Sequence, residues 1–190
     1  MTAALALALA LLAPGPPRAA PAPPTPPAGD AERAARLDAY LGFIHGGPSP
    51  AAWRALGPEA VPALLRAAAD PGEAPSRRAA ALTGLSWIGG ARARAALAAM
   101  AADGALPFAV RASALEGAGR LLPPAELARA LGPVLDGAGR LGDRAVAAEV
   151  LSLRAPAVAC RAVRAREARE AAADRPAFAR ALARCAGRGP

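Results

Sequence analysis

The chain has 190 residues, 54% hydrophobic and only 3% aromatic, with 23 basic against 15 acidic side chains and a net charge of +8. That length admits one domain with a sizeable core. A core made mainly of Ala and Leu, poor in aromatic residues, excludes a β-rich fold and points to an all-α one. Every basic residue is Arg, and Lys, Asn and Gln are absent. This is a mark of GC-rich coding, so arginine abundance alone does not identify an anionic partner.

Thr2 to Ala13 form an unbroken run of small apolar residues. Twelve residues are too few to span a bilayer, which takes about 20. The run fits the apolar region of a secretory leader, although no basic residue precedes it. From Pro14 to Gly29 the proline density removes backbone donors and fixes φ, so an extended spacer is expected rather than helix or sheet. Residues 1–20 therefore read as a leader and 21–29 as a Pro-rich linker.

Residues 30–56 read as N-terminal capping helices. Asp30 is placed to cap a helix whose Leu37, Tyr40, Leu41 and Ile44 share one side, and Gly46-Gly47-Pro48 ends it. His45, the single histidine, lies at that end without a second His or a Cys nearby. Trp53 belongs to a short second segment and reads as a core or cap residue.

From residue 57 onward the chain divides into helix pairs. The expected pairs are Pro58–Ala69 with Ser76–Ile88, Ala91–Ala102 with Pro107–Leu121, Pro124–Leu135 with Gly142–Leu153, and Ala157–Ala172 with Pro176–Ala186. Ser76 is the expected cap of the first second helix, and Gly89-Gly90 its stop. Asp70, Asp103 and Asp136 recur every 33 residues, as do Arg78, Arg111 and Arg144. Small residues follow each of these arginines: RAAALTGL, RASALEGA, RAVAAEVL. A period of this size marks stacked repeats, each of which buries its apolar face only against its neighbours.

The segments PEAVPALLRAAAD (Pro58–Asp70), VRASALEGAGRL (Val110–Leu121) and DRAVAAEVLSL (Asp143–Leu153) resemble HEAT repeats of the short bacterial, phycobilisome-lyase-like kind. The resemblance implies a right-handed α-solenoid of about four helix pairs. It also implies a ladder between units, carried here by Asp70, Arg78, Asp103, Arg111, Asp136 and Arg144. Each Arg lies eight positions after its Asp, a loop slightly longer than in the family. Without the family, the same residues read as an internal fastening: a loop Asp accepts backbone donors at the next helix start, and the Arg supplies a fork of donors.

Catalytic chemistry has little to work with. A nucleophilic triad would have to use His45, which precedes the repeats. There is no phosphate-binding Gly loop, and Gly117-Ala-Gly119 reads as a close-packing stretch. No CxxC or His-rich spacing suggests a metal, and no cofactor is implied. Cys160 and Cys185 lie at matching distances from a turn near Ala173. An antiparallel pair would set them at one height, which allows a disulfide in an exported protein; two buried free thiols are the alternative. Arg180, Arg184 and Arg188 form a basic stripe at four-residue spacing, a possible anion-binding face. Trp87 is the best candidate to stack on a base, but scarce aromatics and export both count against nucleic acid. The expected function is a non-enzymatic scaffold that binds a protein or peptide on the concave face of the second helices, in the periplasm or envelope. A cytoplasmic nucleic-acid binder is the alternative, and a lyase activity rests on family analogy alone.

Overall fold

A computed structural model describes residues 28–43 and 47–186. The leader, most of the Pro-rich linker, His45 and Arg188 lie outside the described residues. Within them the chain is all-helical, and each helix packs against its neighbours. Two helices open it, α1 (Ala28–Leu41) and α2 (Pro50–Ala55). Both pack on α4 (Pro75–Ile88). A 3₁₀ turn, Pro58–Ala60, leads into α3 (Val61–Ala69). Then follow α5 (Ala91–Ala102), α6 (Phe108–Leu121), α7 (Pro124–Asp136), α8 (Leu141–Arg154), α9 (Pro156–Arg169) and, after a second 3₁₀ turn, α10 (Ala179–Ala186).

The first helices of the pairs, α3, α5, α7 and α9, touch in series. The second helices, α4, α6, α8 and α10, form a second series packed on the first. Leu64, Leu82, Leu97, Leu115, Leu131 and Leu151 fill the space between them and are fully buried or nearly so. Small residues let the second helices approach closely. A Cβ at Gly119 would lie 2.5 Å from Val150 Cγ1 of the next second helix. A Cβ at Gly84 would lie 2.6 Å from the Trp53 ring. Trp53 is buried, and it meets Tyr40 edge-to-face at 5.2 Å between centroids.

Several helix ends differ from expectation: the first helix stops at Leu41, ahead of Gly46-Gly47-Pro48, and the last begins at Ala179, because residues from Arg175 to Phe178 form a 3₁₀ turn. Asp30 does not cap α1, which starts at Ala28. It sits in the first turn and pairs with Arg33 at 2.6 Å. Ser76 does not cap α4, because Pro75 already occupies the first turn with its φ pre-set for helix. The helix expected to reach Ala172 ends at Arg169, and Glu170 turns to extended backbone so that its carboxylate can reach α8. The Gly89-Gly90 stop is as expected, both residues having positive φ.

Gly84→Ala tests the close approach. Alanine should stabilise an open helix position by up to about 1 kcal/mol. Against the rigid Trp53 ring, the added carbon should instead lower stability by about 1–3 kcal/mol, read from urea unfolding. A more stable variant would show that the ring yields.

Candidate functional site

Two charged regions emerge, one internal and one open. The internal one is built on the periodic arginines, all three of which are buried. Arg78 Nε donates to the carbonyl of Ala68 at 3.0 Å, and Arg111 Nε donates to that of Ala101 at 3.0 Å. Each acceptor belongs to the last turn of the preceding first helix, where carbonyls have no intrahelical partner. Arg111 and Arg144 also reach into the next unit. Arg111 Nη1 donates to Asp143 Oδ2 at 2.7 Å. Arg144 donates from Nε and Nη2 to the two oxygens of Glu170, at 2.7 and 2.8 Å, and from Nη1 to the Gly139 carbonyl.

The periodic aspartates are not the partners of these arginines. Asp70 and Asp103 are exposed and close their own loops, accepting from Gly72 N at 2.8 Å and Ala105 N at 2.9 Å. Asp136, also exposed, pairs with Arg169 at 2.6 Å. An aspartate just past a helix end is nearer to its own loop amides than to the buried guanidinium, and water solvates it there. The acids that do meet the arginines are Asp143 and Glu170, 1% and 7% exposed. The periodicity singled out neither, because neither recurs. The positions ahead of the three arginines carry Arg77, Val110 and Asp143. Only the last supplies a carboxylate.

Asp143 Oδ2 also accepts from Arg140 Nε at 2.9 Å, and Arg140 Nη2 donates to the Leu106 carbonyl at 2.7 Å. Glu170 is held by a second guanidinium, Arg166, at 2.7 Å. The Arg144 hydrogen bond, reinforced by Arg166, pulls the Glu170 carboxyl down from 4.5 to about 2 against the opposing effect of burial. The same bond raises the Arg144 guanidinium further above its ordinary value.

The open region lies across α4, α6, α8 and α10. It is a groove of about 550 Å³. Its apolar floor comes from Val146, Val150 and Leu153, and Leu153 is 57% exposed. At one end stands the half-buried Trp87, with the guanidiniums of Arg54 and Arg120 over its ring at 5.4 and 4.8 Å. Arg154 Nε donates to the Gly119 carbonyl at 2.8 Å. Of the groove acids, Glu149 pairs with Arg184 at 3.1 Å and Glu116 with Arg120 at 3.7 Å. Arg180 is exposed on the rim and has no acidic partner among the described residues.

The basic stripe is thus divided: Arg180 faces the groove, Arg184 is neutralised by Glu149, and Arg188 lies outside the described residues. Sequence reasoning missed the groove because Leu153 reads as one more apolar residue of a helix face. Cys160 and Cys185 are joined in a disulfide, with Cα atoms 5.5 Å apart. It ties α9 to α10, the helix that carries Arg180 and Arg184. Arg164 Nη2 adds a bond to the Cys185 carbonyl at 2.8 Å.

Among the described residues no helix is long and apolar enough to cross a membrane. Compared with family models, curated proteins and solved structures, the chain matches none. The architecture itself defines the class: an all-helical protein of consecutive, mutually packed helix pairs.

These ties set two outcomes. Because folding holds the Glu170 carboxyl low, its contribution is present in full above pH 4.5 and is lost as pH falls toward about 2. Glu170→Gln should therefore destabilise the protein by roughly 3 kcal/mol at neutral pH and flatten the acid limb of its stability profile. An unchanged acid limb would remove Glu170 as its source. Replacing both cysteines by serine should lower stability by about 3 kcal/mol through the freer unfolded chain. Thermal unfolding with and without a reducing agent reads the same difference in the wild type.

Proposed function

We propose that the chain is a right-handed HEAT-like α-solenoid acting as a non-enzymatic scaffold, which holds a protein or peptide partner on the face formed by its second helices. The observation that carries this reading is the groove over α6, α8 and α10, where Leu153 stands 57% exposed beside Val146 and Val150. Exposed aliphatic surface framed by charged side chains is what a macromolecular contact requires. The inter-unit ties of Arg111 and Arg144 support a repeat architecture in which neighbouring units stabilise each other. The disulfide supports work in an oxidising compartment, the periplasm or envelope. It agrees with the leader-like run at Thr2–Ala13.

Site-specific photocrosslinking tests this. A photoreactive residue at Leu153 should give a discrete protein adduct in an envelope fraction. The same residue at Arg129, exposed on the first-helix layer, should give none. Absence of adducts from Leu153, Trp87 and Arg180 alike would overturn the scaffold reading.

A further inference from the structure

The groove also specifies the chemistry of its partner, a specificity that rests on the partner-binding reading of this face. Both of its acids are already engaged, Glu149 with Arg184 and Glu116 with Arg120. Two of its cations are not matched by carboxylates. Arg154 donates Nε to a backbone carbonyl, which satisfies one donor and leaves the positive charge uncompensated. Arg180, across the groove on α10, has no acidic partner among the described residues. The same groove is lined by the aliphatic side chains of Val146, Val150 and Leu153. We infer that the groove binds an acidic polypeptide segment, seating its aliphatic side chains on this floor and placing Asp or Glu carboxylates on Arg154 and Arg180.

Charge complementarity selects an acidic partner over a basic one, because like charges set against the two arginines are repelled. The floor selects a polypeptide over nucleic acid. Single strands are held by bases stacked on aromatic rings. The one aromatic ring here, Trp87, already engages two guanidiniums. Aliphatic side chains of a peptide, by contrast, gain by covering Leu153 and the two valines.

The test uses the full chain with its disulfide intact and four labelled probes. One peptide alternates Glu with Leu, a second alternates Arg with Leu, and a third alternates Glu with Ser; the fourth probe is oligothymidylate. The Glu–Leu peptide should bind by fluorescence anisotropy and weaken with added salt, and the other three should bind more weakly. Arg180→Glu should weaken the Glu–Leu peptide about tenfold, combining a lost attraction with a new repulsion. Leu153→Ser should weaken it as well. Both residues are exposed, so the variants should keep the wild-type melting temperature, and a variant that does not is replaced by Arg180→Ala. Failure of the Glu–Leu peptide to bind, equal binding of the Arg–Leu peptide, or indifference to Arg180→Glu would overturn the inference. So would tighter binding of oligothymidylate that Arg180→Glu abolishes. A crosslinked adduct at Leu153 whose contacting segment is basic would overturn the acidic specificity while leaving the scaffold reading in place. Absence of any groove adduct would overturn the scaffold reading itself.

Discussion

A buried guanidinium that bonds the carbonyl ending the preceding helix is the interaction on which the rest of the structure depends. A core of Ala and Leu has few side-chain shapes with which to fix how one pair sits on the next. The helix termini at each junction leave carbonyls that need donors. Arg78 and Arg111 supply those donors, joining the end of a first helix to the start of its second. A guanidinium has donors to spare, and where a carboxylate is within reach it extends the tie to the next unit. Arg111 reaches Asp143, and Arg144 reaches Glu170. Burial makes these contacts specific, since a buried guanidinium left without a hydrogen-bond acceptor is strongly disfavoured.

The fastening tightens along the chain. At Arg78 it is a single bond to a carbonyl. Arg111 adds one carboxylate, and Arg144 is gripped by both oxygens of Glu170. The last pair packs on only one preceding pair among the described residues, so less apolar burial holds it. The stronger ties fall where packing is weakest. Glu170 also explains why α9 stops early: an extended residue there delivers the carboxylate, and a continued helix would carry it away along the axis.

Much of the fold was legible because its determinants are local and repeated. Pro at helix starts, Gly89-Gly90 after α4, and the 33-residue return of Arg with small residues all act through backbone geometry or periodic packing. The charge pairing was not legible for the opposite reason. Asp143 occupies a position that holds Arg77 in one unit and Val110 in another, so a reading based on recurrence passes over it and selects the loop aspartates instead. Glu170 lies 26 residues beyond Arg144, off the repeat interval. The groove was hidden likewise. Leu153 belongs to the same run as the buried Leu151 and Val150, and only the packing of neighbouring helices, such as α6 against Val150 at Gly119, decides which of the three stays exposed.

The disulfide links these levels. Helix α10 is eight residues long, too short to be stable alone in water. It delivers Arg180 to the groove rim and Arg184 to Glu149. Cys185 is fully buried against α9, and its bond to Cys160 holds α10 in register with that helix. Buried Phe178 and Ala181 and the packing of α10 on α8 hold the same helix, so the bond reinforces a packed contact. The cysteine pair thus joins the helix that carries Arg180 and Arg184 to the preceding helix, at the end of the described chain where no further pair packs on it.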